Sequence, residues 1–249
     1  MINEEFSTGD SRIHRLDPRV KIAVSVAFAF VVALGSEPAM LAAAAIFAAA
    51  LVLFARLAPA RVGVRLLLVN GFMVFVWAFV PFAYPGETVF SVGGLDATRE
   101  GLVYCLLVTV KCNTILAATI ALLGTSSVFD LVHALSHFRV PDKLIQLFFF
   151  IFRYMHVVRL EYARLTNAMR VRCFEPGTNA HTYRTYAYLA GMLMVRSYDR
   201  SERIYNAMLC RGFKGKYYLL DHFVMRAEDA AFLTLFAIYI VMLAVIEWL

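Results

Sequence analysis

Two stretches of 23 residues, Leu102–Gly124 and Ala227–Leu249, are apolar along almost their whole length. As a helix each reaches about 34 Å, enough to cross a bilayer. Three more apolar stretches precede them: Val20–Leu34, Ala39–Ala55 and Leu66–Tyr84. The first has only 15 residues, so it thins the bilayer around it or packs beside its neighbour. Gly35-Ser36-Glu37-Pro38 breaks it from the second, and Pro38 suits the first turn of a new helix. Composition agrees with membrane spans. The chain is 61% hydrophobic and 17% charged, whereas a soluble domain carries about 25% charged residues.

Five alternating spans allow two orientations, and the basic residues choose between them. With the N-terminus inside, the inner segments are 1–21, 56–65 and 125–226, and they hold 22 of the 24 Lys and Arg residues. Arg99, in the outer loop, and Lys111, inside the fourth span, are the remainder. Lys and Arg in short cytoplasmic loops set topology. The expected arrangement is N-terminus cytoplasmic and C-terminus outside. It divides the chain into 1–124 (an N-terminal segment and four spans), 125–226 (a cytoplasmic helical insert) and 227–249 (the fifth span). Met1–Lys21 mixes four acids with its basic residues, so Val20 onward reads as a retained span, not a cleaved signal. Pro85–Glu100 reads as a turn-rich outer loop.

The net charge of +6 follows from the same asymmetry and does not indicate nucleic acid, for which no motif is present. Cys105, Cys112, Cys173 and Cys210 form no C-x-x-C pair, which argues against a disulfide framework or a zinc site. No G-x-x-x-x-G-K-[ST] loop is present, so the chain does not bind ATP by that route. No Ser/His/Asp or Cys/His arrangement supports an enzyme, and no cofactor is implied. His133 and His137 have a metal-ligand spacing, i and i+4, but read as polar positions on an amphipathic helix. Lys111, with Asn113 close by, reads as an interior lysine paired with a carbonyl or carboxylate. The methionines Met169, Met192, Met194 and Met208 read as packing residues.

The insert carries the functional signal. Ser127-Val128-Phe129-Asp130 is a capping-box-like start for a short helix, which Val140-Pro141 ends. Asp142–Phe174 then contains neither Pro nor Gly and reads as one long helix. Leu144–Met155 within it is apolar but only 12 residues long, too short to span. Glu175-Pro176-Gly177 stops that helix, and a second follows over roughly His181–Arg211.

The two long helices end alike. Arg164-Leu165-Thr166-Asn167-Ala168-Met169-Arg170-Val171-Arg172-Cys173-Phe174 matches Arg203-Ile204-Tyr205-Asn206-Ala207-Met208-Leu209-Cys210-Arg211-Gly212-Phe213 at an offset of 39 residues. Arg164, Ala168 and Arg172 share one helix face, as do Arg203, Ala207 and Arg211. The final arginine favours the helix C-terminus electrostatically. Gly212 can adopt the left-handed cap, whereas Cys173 does so only at a steric cost. Two copies of one surface device suggest a partner with two equivalent sites. Arginine suits docking because its planar fork makes directed hydrogen bonds.

With these pieces in hand, the chain resembles the transmembrane T component of energy-coupling factor transporters, in particular the CbiQ type. The resemblance covers nearly the whole chain. It rests on His14-Arg15-Leu16-Asp17-Pro18-Arg19-Val20-Lys21, the Arg153-Tyr154 region, Gly191-Met192-Leu193-Met194-Val195-Arg196-Ser197 and the two arginine-bearing ends. It implies an all-α integral membrane protein with about five transmembrane helices and about three cytoplasmic coupling helices, in a bacterial or archaeal cell membrane.

The resemblance further implies a non-catalytic subunit that holds a substrate-binding membrane subunit, the S component, against two ABC ATPase subunits. The family's paired X-Arg-X motifs fall on Val171-Arg172-Cys173 and Cys210-Arg211-Gly212. Many members have Ala before the arginine and Ser or Gly after it, from which Val171, Cys173 and Cys210 depart. Arg172 and Arg211 are the implied ATPase contacts, with Arg164 and Arg203 on the same faces. The implied cargo is cobalt, linked to cobalamin synthesis; nickel or a vitamin is the alternative. Two rival assignments remain: an ordinary ABC importer permease, for which a single coupling loop is expected, and a membrane scaffold or membrane-embedded enzyme, which should purify without ATPases and contain a polar intramembrane cluster.

Overall fold

The structure, a computed structural model, describes residues 9–83, 85, 87–92, 95–138, 140–215 and 225–248. Among the described residues, eight helices follow one another: α1 Pro18–Leu34, α2 Pro38–Phe54, α3 Pro59–Ala83, α4 Arg99–Leu122, α5 Val128–His137, α6 Asp142–Val171, α7 Ala180–Cys210 and α8 Ala227–Trp248. A short antiparallel hairpin, β1 Thr88–Val92 and β2 Leu95–Thr98, joins α3 to α4. The fold is therefore all-α apart from this hairpin, which occupies the segment expected to be a turn-rich loop. Gly86, Gly93, Gly94, Tyr84 and Leu249, which figured in the expected loop and span ends, lie outside the described residues.

Among the described residues, three helices are long and apolar enough to cross a membrane: α3, α4 and α8. α1 and α2 have 17 residues each. Local chemistry sets most of the boundaries. Asp17 caps α1, its carboxylate accepting from the Arg19 N–H at 2.9 Å, and Pro18 stands in the first turn. Pro38 likewise opens α2. α3 differs from expectation at its start. It begins at Pro59, so Arg61 and Arg65 belong to its first turns rather than to a loop. The cause is again a proline at the entry, with the Val62 N–H bonding back to the Ala58 carbonyl.

The chain divides into two compact units. The first contains α1–α4 and α8; α4 packs against α1, α2 and α3, and α8 against α1 and α2. Its core includes Phe28, Val32, Ala44, Leu122, Phe236 and Leu243. Phe47 stacks on Tyr239 with ring centroids 4.3 Å apart. The second unit contains α6 and α7, and α5 straddles the division in sequence.

Both ends of the first unit are tied by polar groups. At one end, Asp229 of α8 accepts from the backbone N–H groups of Asp17 and Arg226, at 2.8 and 2.9 Å. Lys21 is fully buried there and donates to Ser126 Oγ at 2.8 Å and to Thr125 Oγ1 and the His14 carbonyl at 3.3 Å. At the other end, Glu247 of α8 accepts from the N–H groups of Ser36 and Glu37, at 2.8 and 3.1 Å, which cap the start of α2. Lys111 of α4 donates to the Ala33 carbonyl in the last turn of α1, at 3.1 Å, so it is carbonyl-paired as the sequence suggested. Asp229 and Glu247 are 18 residues apart on one helix, about 27 Å. α1, tied at both ends to the same helix, covers the same length despite its 17 residues.

Lys21 concentrates the polar bonds of its end. Lys21→Ala leaves Ser126 and the His14 carbonyl without this partner, and such a buried loss costs about 1–3 kcal/mol. The expected outcome is a lower thermal midpoint of the purified chain in detergent, measured by loss of helical circular dichroism.

Candidate functional site

The ends of α6 and α7 adopt the same backbone geometry. In α6, the Phe174 N–H bonds to the Met169 carbonyl at 3.1 Å and the Cys173 N–H to the Arg170 carbonyl at 2.9 Å. In α7, the Phe213 N–H bonds to Met208 at 3.0 Å and the Gly212 N–H to Leu209 at 2.9 Å. These are paired Schellman caps, which satisfy the last carbonyls of each helix. The repeat in sequence is thus a repeat in structure.

Arg172 and Arg211 are the C-cap residues, with φ/ψ of −86°/17° and −90°/8°. Both are exposed, and among the described residues neither guanidinium has a hydrogen-bond or ion-pair partner. Val171, Cys173, Cys210 and Gly212 flank them and are exposed too. Gly212 has φ +79° and Cys173 has φ +61°. Cys173 therefore takes the left-handed conformation that glycine takes in the other copy, with a steric penalty of roughly 1–2 kcal/mol.

The roots of the two motifs differ. Arg203 is exposed and unpartnered among the described residues. Arg164 faces Glu161 on its own helix at 3.6 Å, so it belongs to a different cluster from the tip. That cluster was not singled out from the sequence. Glu161 is buried, its Oε1 hydrogen-bonded and ion-paired to Arg196 of α7, and its Oε2 lies 3.9 Å from Arg200. The hydrogen bond from Arg196 holds the Glu161 carboxyl below the usual carboxylate range. The positive charges of Arg196, Arg164 and Arg200 act the same way, against an opposing effect of burial. One signal was available: apart from Asp142 in its first turn, Glu161 is the sole acid of α6, among five basic residues.

Other ring contacts brace the α6 end. Phe174 meets His181 and Tyr186 of α7, with centroids 6.0 and 5.9 Å away. The Asn179 side chain caps α7 by accepting from the Thr182 N–H at 2.8 Å. The turn between the helices is therefore anchored to the α6 tip. Among the described residues, no three His, Cys, Asp or Glu side chains gather as a metal site.

Fold and site together define a helical integral membrane protein that presents two like arginine-capped helix ends. The family whose model matches residues 9–219 is described as cobalt transport protein, CbiQ, and the chain belongs to it. Similar proteins include the energy-coupling factor transporter transmembrane protein EcfT of Streptococcus thermophilus, 25% identical over 86% of each chain. EcfT of Leuconostoc gelidum is 25% identical over 98% of this chain and 96% of its own. The cobalt transport protein CbiQ of Rhodobacter capsulatus is 24% identical over 51% of this chain and 52% of its own.

Two outcomes test this geometry. Cys173→Gly relieves the left-handed penalty at the α6 cap and stabilises it by about 1 kcal/mol, read as a raised thermal midpoint. Because Glu161 titrates lower in the fold than in the unfolded chain, its contribution is full above the ordinary glutamate value of 4.5 and fades as pH falls through the lowered one. Acid titration of α6–α7 helicity should show this step, and Glu161→Gln should remove it.

Proposed function

We propose that the chain is the T component of an energy-coupling factor importer, with Arg172 and Arg211 docking onto two ABC ATPase subunits. The observation that carries this reading is the pair of matching Schellman ends, each presenting one exposed arginine that has no partner among the described residues. A device made twice suits a partner with two equivalent grooves. Each guanidinium has carboxylates or helix-end carbonyls as natural acceptors. The names of the EcfT relatives point the same way.

In this arrangement the five apolar helices α1, α2, α3, α4 and α8 span the bilayer. The N-terminus and residues 125–226 lie in the cytoplasm and the C-terminus lies outside. ATP binding closes the ATPase pair, the grooves move, and α6 and α7 carry that motion to a substrate-binding membrane subunit. Hydrolysis belongs to the partners, and this subunit is non-catalytic. The exposed apolar side chains of α6 and α7, among them Leu147, Phe148, Ile151, Met194 and Val195, suit burial against lipid or against that membrane subunit. The cargo is cobalt, on the strength of the family description and of the Rhodobacter relative's name. A T component serving nickel or a vitamin would be built the same way, because these residues face the partners rather than the ion.

The double variant Arg172→Ala/Arg211→Ala should lose ATPase co-purification and cobalt uptake. Truncating one side of a buried, hydrogen-bonded charge contact costs about 2–5 kcal/mol. Undiminished pull-down and uptake in the double variant would refute the docking role.

A further inference from the structure

α6 is 30 residues long and buries one of them, Glu161. α7 buries Thr182 and Leu189, and neither belongs to its Arg196–Arg200 stretch. Where the two helices meet, Val157, Val158, Glu161, Arg196, Ser197 and Arg200 line one small hollow, and its buried member is a carboxylate, where helix pairs usually bury apolar side chains. We propose that Glu161 is a positioning residue, the pin that joins α6 to α7 and fixes the placement of the two arginine tips relative to each other. The proposal rests on the docking reading for what the tips hold, but not for the pin itself.

The geometry suits a pin. Arg196 and Arg200 are i and i+4, so they meet the carboxylate from two successive turns of α7. Contact at two turns resists rotation as well as separation. Arg164, one turn further along α6, backs the carboxylate from its own helix. The acid is buried while its three arginines reach solvent at their outer edges, with side-chain exposures of 74%, 47% and 38% for Arg164, Arg196 and Arg200. Three cations around one anion leave the cluster dependent on that anion. Neutralising Glu161 removes the attraction and also leaves like charges facing one another across the crossing.

The pin lies nearer one tip than the other. Glu161 precedes Arg172 by 11 residues and Arg196 precedes Arg211 by 15. The arms are then about 16 and 22 Å long. A swing of about 10° at the crossing would move the tips by roughly 3–4 Å. That displacement is enough to break a hydrogen bond, so a pair of grooves can move both tips together only if the crossing is held.

The test uses spin labels on the native Cys173 and Cys210 of the full chain, with Cys105→Ala and Cys112→Ala, in lipid nanodiscs without ATPases. Pulsed dipolar spectroscopy then reads the tip-to-tip distance distribution. The parent should give one narrow peak. Glu161→Gln should lose it to a broad distribution while helical content stays unchanged, and the swapped pair Glu161→Arg/Arg196→Glu should restore it. Should Glu161→Gln not purify, Arg196→Gln serves in its place with the same broadening expected. An unchanged narrow peak in the variant overturns the pin. Because no ATPase is present, that result stands apart from the Arg172→Ala/Arg211→Ala pull-down, which alone tests the docking reading. With the partners added, Glu161→Gln should lose uptake while keeping ATPase association. Equal loss of both would make Glu161 a docking residue and overturn its positioning role.

Discussion

A lipid interior offers the backbone no hydrogen-bond partner but itself, so every helix must close its own ends or borrow a group that does. In this protein the borrowing is done mainly by α8. Its Asp229 meets the backbone at the start of α1, and its Glu247 meets the backbone at the start of α2. The two acids stand about 27 Å apart along the helix, close to the ~30 Å thickness of a hydrocarbon core. They mark where polar groups become tolerable. The aromatic cluster of Phe28, Phe47, Phe236 and Tyr239 fills the space between them. The last helix of the chain thereby fixes the span of the first two, which are the shortest of the five.

The α6–α7 unit follows the opposite rule. Its helices have few buried apolar residues, and many of their large side chains are exposed. Such a unit does not owe its shape to a core of its own. What it has instead is one buried carboxylate ringed by partly exposed arginines at the crossing, and closed backbone caps at the tips. Buried ion pairs contribute little net stability compared with apolar packing, but they penalise misplacement strongly. That trade suits the positioning role proposed for Glu161.

Much of this was legible in the sequence because its causes are local. The apolar runs, the break at Gly35-Ser36-Glu37-Pro38, and the stops at Val140-Pro141 and Glu175-Pro176-Gly177 each act within a few residues. The α6 and α7 boundaries differ from expectation by at most three residues. The paired ends were legible as a repeat, and the left-handed turn at Gly212 followed from its residue type. The start of α3 was not, because Arg61 and Arg65 read as loop charges although they sit on the first turns of a helix opened by Pro59. Glu161, Asp229 and Glu247 were missed for one shared reason. Their cross-helix partners lie 35, 212 and 211 residues away, and no short window along the chain contains both members of those contacts.

The repeat is also less symmetric than its letters suggest, and the asymmetry has physical content. Arg164 and Arg203 occupy equivalent positions, yet the first is drawn to Glu161 while the second is exposed, with no partner among the described residues. The α6 end is further braced by Phe174 against His181 and Tyr186. It also carries Cys173 in a conformation that glycine would adopt with less strain. One tip is thus short-armed, braced and strained, and the other long-armed with a relaxed glycine cap. Equal displacement at the crossing moves the α7 tip farther, by the ratio of the two arms. This difference lies wholly within the α6–α7 unit itself.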